Sequence, residues 1–550
     1  MNRQKWIPLG VEDFKEVATT CYYVDKTALI AKIIDSPSGS AFLFTRPRRF
    51  GKSLAISMLA HFYSEKEDSR ELFAPFAISH LEKGAFLSEL NRYPVIHLNL
   101  KNVDSPTYEG MLRSLSSLMA DLYDSLLKED DPAFSASSLR FIQTILRKEA
   151  SEEELATCLL KLCRFLQERS KKKAILLIDE YDAPMLNALP HGYQEKASSF
   201  FKTFLGAALK GNDSLEKAVI TGVLQIAKAS IFSGLNNLLV DDGLQEDSEF
   251  FAFTSQEVVE LLAYYGKEEE EEKVWEWYGG YLFSAEPCYC PWSVLSYLKN
   301  ACHFRAYWTF TSANRLLPYA KGIDLENTLS SLLSGKAVYI DLERNLSFQN
   351  LREENSFLSL LFYSGYLRAE EGIVRGNYRL SIPNKEIEKA LCEDVIQTYG
   401  NGSFRLLSEL KEGFLHGDAQ GVEDVLKRYL LAFSYFDYSD ERAYSILVTT
   451  LAALLFEDAY VKSEVPFGEG RSDLAILSKK EKGFALLLEF KSCGIRTRND
   501  ALAKLAKNAI QQMEERDYAA EAKSLGKSPI LLFGVAFAGK KVVVESKQVG

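Results

Sequence analysis

Along the first third of the chain, short apolar runs alternate with longer amphipathic stretches, the pattern of a parallel sheet covered by helices. "SAFLFT" (40–45) reads as a strand, and in the "SLAISMLAHF" that follows, Leu54, Met58 and Phe62 repeat at helical spacing. "YPVIHLNL" (93–100) is a second strand of the buried kind, the apolar run Ile175 to Ile178 within "AILLIDEYDAP" (174–184) a third, and "KAVITGV" (217–223) a fourth. Between the second and third, "SEEELATCLLKLCRFLQE" opens with a capping box, Ser151 and Glu154, and sets Leu155, Leu159, Leu162 and Leu166 on one face. A basic turn, Lys171 to Lys173, then leads into the third strand.

The last 150 residues carry a different order. "GEGRSDLAILSKKEKGFALLLEFKS" (468–492) reads as a hairpin, with a strand from Asp473 to Leu477, a charged turn through Lys482-Gly483 and a longer strand from Phe484 to Ser492. Alternation at period two puts Glu489 and Lys491 on one face and Phe490 on the other. An amphipathic helix, "ERAYSILVTTLAALLFEDAY" (441–460), precedes it. Another follows, with Leu502, Leu505, Ala509 and Met513 on one face and Gln512 close to that stripe, and then a strand, "PILLFGVAF" (529–537).

Composition narrows the classes. A chain of 550 residues exceeds what one hydrophobic core usually serves, so two to four domains are expected, and 47% hydrophobic and 12% aromatic residues exclude disorder as the default. No run of about 18 uncharged apolar residues occurs and the first residues lack the apolar core of a signal peptide, so a cytoplasmic protein without membrane contact is expected. Eight cysteines at irregular spacing do not form a disulfide framework. Cys288, Cys290 and Cys302 with His303 lack the usual metal-ligand spacing and read as buried or incidental thiols. A net charge of −11 argues against a uniformly basic nucleic-acid surface but leaves room for local basic sites. The acidic run between Lys267 and Lys273 reads as a solvated helix face or loop.

Candidate chemistry begins with "RPRRFGKS" (46–53), placed after a strand and before a helix, the context of a phosphate-binding loop. Backbone N–H groups and the helix N-terminus would surround the phosphates, with Lys52 reaching the terminal phosphates and the Ser53 hydroxyl binding magnesium beside Gly51. Arg46 stands where the first glycine is expected, and Pro47 fixes the path of the chain further. Asp179 and Glu180, at the C-terminal edge of the third strand, supply the second half: Asp179 to hold magnesium, Glu180 to polarise an attacking water. A strand that ends in solvated acids is the competing reading. Thr221 closes the fourth strand, where it could sense the terminal phosphate or the lytic water, although a threonine there is ordinary.

In the last segment, Asp473 and Glu489 on neighbouring strands can share a magnesium ion that polarises a phosphate and activates water, while Lys491 orients the water or neutralises developing charge. That is phosphodiester hydrolysis. A cross-strand salt bridge on an exposed edge, worth about 0 to 1 kcal/mol if solvated, is the alternative.

The stretches "YYVDKT" (22–27), "TRPRRFGKSL" (45–54), "LIDEYDAP" (177–184) and "ITGVLQIAKASIFSGLNNL" (220–238) together resemble the AAA-ATPase-like family of prokaryotic proteins. In that family arginine-proline-arginine-arginine-phenylalanine before the glycine-lysine pair is usual, so the resemblance makes Arg46 a family trait and ATP the expected ligand. It also implies that Arg48 and Arg49 belong to the nucleotide site, and that Asp25 and Lys26 help to position the base or sugar. Gln225 stands where the family has arginine, with Lys228 a substitute charge; an arginine supplied by a neighbouring copy would make the chain a homo-oligomer.

Residues from about 250 to 395 resemble the same family's helical and winged-helix-like extension, through "FFAFTSQEVVELL", "WYGGYLF", "PWSVLSYL", "YWTFTSAN", "LLFYSGYL" and "LSIPNKE", with Cys290 where asparagine is usual. These aromatic and glycine-rich stretches read first as packing and turns. The C-terminal segment resembles the PD-(D/E)XK nuclease domain commonly fused to that family. The resemblance carries its motif onto Asp473, Glu489 and Lys491 and its "Ala-x-x-Gln" helix onto Gln512, and leaves Glu441 and Glu464 as rivals for a further metal ligand.

The expected fold is thus α/β: a P-loop NTPase parallel sheet (1–250), a helical, winged-helix-like lid (251–395) and a restriction-endonuclease-like α/β domain (396–550). The expected function is ATP binding and hydrolysis coupled to magnesium-dependent cleavage of nucleic acid, DNA before RNA, with defence against mobile elements suggested by the pairing of modules. A nucleotide-dependent switch or scaffold that binds nucleic acid without cutting, and a translocase without cutting, are the alternatives.

Overall fold

The computed structural model describes residues 4–127, 133–225, 235–244, 248–283, 286–308, 323, 325–333, 335–344, 346, 350–351, 353–372, 376–399, 404–432, 441–456, 459–467 and 470–549. By compactness the chain falls into two units, Met1–Trp308 with Asp341–Glu370, and Thr309–Ile340 with Glu371–Gly550.

In the first unit, the four apolar runs read as strands pair with one another. They form β1 (Ser40–Thr45), β2 (Val95–Asn99), β3 (Ala174–Asp179) and β4 (Leu215–Gly222), joined at one edge by β5 (Leu238–Asp241), in the order β2-β3-β4-β1-β5. Every pair is parallel. β1 and β3 are buried along their whole length, which is why they read as continuous apolar runs with no alternation. The helix Lys52–Tyr63 packs Ile56, Leu59 and Phe62 onto Phe42, Phe44, Ile175, Leu177 and Val219, each large side chain contributing roughly 1.5–3 kcal/mol of burial. The capping box forms as expected, Ser151 Oγ accepting from the Glu154 N–H at 3.2 Å and Glu154 Oε2 from the Ser151 N–H at 2.9 Å.

Parallel pairing has one consequence for function. The register sets Thr45 beside Gly222 and Asn99 beside Asp179, so the loop after β1, the acids after β3 and the end of β4 share one sheet edge.

Within the same unit a small antiparallel sheet, β6 (Phe253–Thr254), β7 (Tyr281–Leu282) and β8 (Pro287–Tyr289), carries the helices Ser255–Tyr264, Glu271–Tyr278 and Pro291–Lys299. Tyr278, Tyr289, Tyr297 and Tyr307 pack into its core, so the aromatic stretches serve packing. The acidic run supplies a single 3-10 turn, Glu268–Glu270, and the first turn of the helix Glu271–Tyr278, where carboxylates complement the helix dipole. Three short strands follow, β9 (Val338–Asp341), β10 (Arg368–Glu371) and β11 (Asn377–Ser381).

The second unit is built on β12 (Ala459–Phe467), β13 (Gly470–Ser478), β14 (Ala485–Ser492), β15 (Ile530–Ala538) and β16 (Lys541–Gln548), neighbours in sequence order. All pairs are antiparallel except β14 and β15, which run parallel and are connected through the helices Asn499–Glu515 and Tyr518–Ser524. On one face Leu486, Leu488 and Phe490 meet the helices Ala419–Ala432 and Glu441–Leu455; on the other, Ala485 and Leu487 meet Ile510, Met513 and Tyr518. Among the described residues no helix is long and apolar enough to cross a membrane.

Gly534, opposite Glu489 in the β14–β15 register, lets the helix Asn499–Glu515 lie directly on the sheet: a Cβ there would come within 2.1 Å of the Ala506 carbonyl oxygen. Gly534→Ala is expected to destabilise the second unit by about 1–3 kcal/mol or more through overpacking, read as a lower unfolding midpoint. Gly494→Ala, where an added Cβ meets nothing within 4 Å, should leave the midpoint unchanged.

Candidate nucleotide and metal sites

The glycine-poor loop obtains its turn from other residues. Arg49 and Gly51 both take positive φ, 73° and 79°, and the helix starts at Lys52. Gly51 adopts that backbone freely, whereas Arg49 does so at a cost of order 1–3 kcal/mol. Its side chain is correspondingly fixed, with the guanidinium 4.4 Å from the Trp292 ring centroid and Nη1 donating to the Tyr307 carbonyl at 2.5 Å. Phe50 is fully buried, edge-on to Tyr281 and Phe283, each at 5.1 Å.

Arg46 explains the missing glycine. Its side chain, 1% exposed, turns out of the loop: Nη1 donates to the Thr45 carbonyl at 2.8 Å and Nη2 to Asp241 Oδ1 at 2.8 Å, between the rings of Phe251 and Phe283. The loop is therefore anchored by a buried ion pair to β5.

Lys52 is buried, and its Nζ donates to the carbonyls of Arg46 and Pro47 at 2.9 and 2.8 Å. Burial pushes its ammonium down to about 8, against the opposing pull of Asp179, Asp182 and Glu180. A buried cation of that kind, enclosed by loop carbonyls, is an electrostatic seat for an anion.

Asp179, 1% exposed, gathers the site. Its Oδ2 accepts from Ser53 Oγ at 2.6 Å and from Asn99 Nδ2 at 3.4 Å; its Oδ1 accepts from Thr221 Oγ1 and from the Glu180 N–H. Glu180 stands next to it at φ 52°, a conformation rare for a non-glycine residue, and burial followed by the Asp179 charge raises its carboxyl pKa. Asp182, which the sequence reading passes over, accepts from the Val223 and Leu224 N–H groups at 2.9 and 2.8 Å and so ties the acidic loop to the end of β4. Its signal was there to be read, as the second aspartate of "DEYDAP".

The remaining residues named for this site have other partners. Asp25 accepts from the Thr27 N–H and hydroxyl and from the Ala77 N–H, at 2.7–2.8 Å. Lys26 forms a two-oxygen pair with Glu257, at 2.6 and 2.8 Å. Arg48 acts electrostatically on Lys52. Gln225 is buried and its carbonyl accepts from the Leu346 N–H at 3.1 Å, while Lys228 lies outside the described residues. Cys288 and Cys290 are buried thiols; His303 Nδ1 meets the Asn300 carbonyl.

In the second unit, Glu489 is 3% exposed, on the face covered by the helix Asn499–Glu515. Its Oε1 accepts from Lys491 Nζ at 3.0 Å and from Gln512 Nε2, while its Oε2 is buried with no hydrogen-bond partner among the described residues. Asp473 Oδ2 accepts from the Phe490 N–H at 2.7 Å, and one step past the Leu474–Leu488 pair the register brings Asp473 opposite Glu489. The structure thus brings Asp473, Glu489, Lys491 and Gln512 together. Glu441 begins the helix Glu441–Leu455, and Glu464 lies in β12 between Ser463, paired with Leu474, and Val465, paired with Ser472; both side chains lie outside the described residues. Among the described residues no three His, Cys, Asp or Glu side chains cluster tightly enough to hold a metal by themselves.

Residues 8–232 match the family model described as "Predicted AAA-ATPase", and residues 439–547 the one described as "PD-(D/E)XK nuclease superfamily". Nearly the whole chain is similar to an "Uncharacterized protein in vnfD 5'region" of Azotobacter chroococcum mcd 1, 25% identical over 561 residues, covering 98% of this chain and 97% of that one.

Installing the commoner glycine at position 46 is expected to harm the protein. Arg46→Gly strips a buried pair of one partner and leaves Asp241 uncompensated, a loss of about 3–5 kcal/mol. A lower unfolding midpoint and no gain in nucleotide affinity, measured by calorimetry and by titration with a fluorescent ATP analogue, are the expected results.

Proposed function

We propose, for a chain that joins an AAA-ATPase-like domain to a PD-(D/E)XK nuclease-superfamily domain, that it binds and hydrolyses ATP in the first unit and uses that cycle to govern phosphodiester cleavage of DNA in the second. The observation that supports it most is the orphaned, buried Oε2 of Glu489. A buried carboxylate oxygen without a donor is costly, and a hard divalent cation is the partner that would relieve it. Glu489 and Asp473 supply such oxygens, so the residues present fit magnesium; when bound, it polarises the scissile phosphate and lowers the pKa of a water. Lys491, held 3.0 Å from Glu489, would offset charge developing on the phosphate, and Gln512 fixes the Glu489 carboxylate.

In the first unit Lys52 would meet the terminal phosphates of ATP with the loop residues Arg48, Arg49 and Gly51 around them. Ser53 and Asp179, already 2.6 Å apart, would hold its magnesium. Glu180, whose carboxyl burial makes more basic, suits general-base work on water, and Thr221 would report the phosphate through Asp179. We assign these roles to regions 1–250 and 396–550, and to 251–395 that of a lid. Defence against mobile elements is the biological role this pairing suits.

A supercoiled plasmid incubated with the full chain, magnesium and ATP is expected to be nicked or cut. Asp473→Ala or Glu489→Gln should lower the rate by about 100-fold or more, the scale of losing one charge-stabilising group. Lys52→Ala should abolish ATP turnover and the effect of ATP on cutting. Undiminished cleavage by Asp473→Ala would reject the assigned site. Strong ATP binding by a wild-type protein that never cuts would instead favour the nucleotide-dependent switch.

Metal binding can be read without turnover. Magnesium or manganese at 100 times its Kd should stabilise the wild-type second unit by about 2.7 kcal/mol and the Glu489→Gln variant by far less, seen as a shift in unfolding midpoint.

A further inference from the structure

Directly beyond β14 the chain makes a tight turn, "CGIRTR" (493–498), before the helix Asn499–Glu515. This turn is braced. Thr497 returns to the Gly494 carbonyl through both its N–H (2.9 Å) and its hydroxyl (2.7 Å), Lys541 Nζ donates to the Thr497 carbonyl at 3.1 Å, and the Cys493 N–H to the Phe537 carbonyl at 3.0 Å. Gly539, at φ +61°, leaves room for Ile495, whose Cγ2 would lie 3.2 Å from a Cβ placed there.

On that rigid base Ile495 stands 62% exposed. A lone exposed isoleucine needs no explanation, but this one stands on a turn rich in cations. Arg496, Arg498, Lys540 and Lys541 are exposed on the two turns, and the side chains of Arg496, Arg498 and Lys540 make no hydrogen bond or ion pair among the described residues, Arg498 using only its backbone carbonyl, which accepts from the Leu502 N–H at 3.1 Å. The nearest acid in sequence, Asp500, lies in the first turn of the following helix, where the dipole accommodates it. In a chain of net charge −11, four cations gathered on two adjoining turns are a local reversal. Ile495 lies six residues along the chain from Glu489, a span of at most about 22 Å.

We propose that the turns 493–498 and 539–541 engage duplex DNA beside the cleavage site, Arg496, Arg498, Lys540 and Lys541 neutralising phosphates while Ile495 enters the minor groove as an apolar wedge that unstacks a base step. The inference rests on the nuclease reading of the second unit. Its physics is that of wedge-bearing DNA binders: cations position the backbone, and the energy of unstacking is recovered in the fit to bent DNA. A pre-braced turn suits that task because little conformational entropy remains to be lost on binding.

The test uses the full chain in EDTA, so that binding is read without cleavage. Fluorescence polarisation with a 30-base-pair DNA duplex, the same sequence as single strand and the RNA duplex should show preference for duplex DNA. Each phosphate contact removed lowers the salt slope by about 0.9, so R496Q/R498Q should lose about two units of slope and about 10-fold or more in affinity. Ile495→Ser should abolish the rise in 2-aminopurine fluorescence at the unstacked step while its unfolding midpoint stays that of the wild type. Unchanged affinity and slope in R496Q/R498Q, a preference for single strands or RNA, or no binding by the wild type would each overturn the proposal. The two readings fail separately. Lost cleavage in Asp473→Ala with unaltered binding in R496Q/R498Q removes only the surface, whereas weakened binding in R496Q/R498Q from a protein that never cuts removes only the cleavage.

Discussion

The first unit depends on a carboxylate that water cannot reach. Asp179 sits at the end of β3 with 1% of its surface exposed, and a charge so placed must be met by donors. The donors come from elements far apart in sequence: Asn99 from the end of β2, Thr221 from β4 and Ser53 from the helix that follows β1. Parallel pairing makes this possible, because it turns the C-terminal ends of all these strands to one edge. Ser53, Asp179 and Thr221, 168 residues apart at the extreme, thereby meet around two oxygen atoms.

The second unit repeats the theme with a different balance. Glu489 is also a buried acid near the end of a strand, but protein donors reach only one of its oxygens. Asp179 is satisfied by its own chain, through the Ser53 and Thr221 hydroxyls, Asn99 and the Glu180 N–H. Glu489 remains half satisfied, one oxygen paired and the other without a donor among the described residues. The helix that positions Gln512 can lie so near only because Gly534 has no side chain, so the chemistry of β14 is tied to a packing constraint on β15.

Much of this was legible in the sequence, and the parts that were not have identifiable causes. Buried strands such as β3 and β14 announce themselves as apolar runs, and Asp179, Ser53, Glu489 and Lys491 stand at positions their motifs dictate. β5, β12 and β16 escape notice as edge strands that are short or rich in polar residues, whereas β2, also at an edge, shows through its apolar run. β5 has only four residues, and β12, with Lys462, Glu464 and Pro466, carries the polar residues and proline that protect an open edge. The helix read to Tyr460 stops at Leu455, so that β12 can begin at Ala459. The role of Arg46 was hidden for another reason: its partner, Asp241, is 195 residues away, and no local pattern encodes such a pair.

The grip on Arg46, Arg49 and Phe50 also bears on what counts as a module. The span that matches the ATPase-like family ends at residue 232, yet Asp241, Phe283, Trp292 and Tyr307, which grip Arg46, Arg49 and Phe50, all lie beyond it. Evolutionary bookkeeping and mechanical completeness therefore draw different borders. A fragment trimmed to the homologous segment would keep Lys52, Ser53, Asp179 and Thr221 while discarding the grip that shapes their loop, and its silence in an assay would speak of the scissors rather than of the protein.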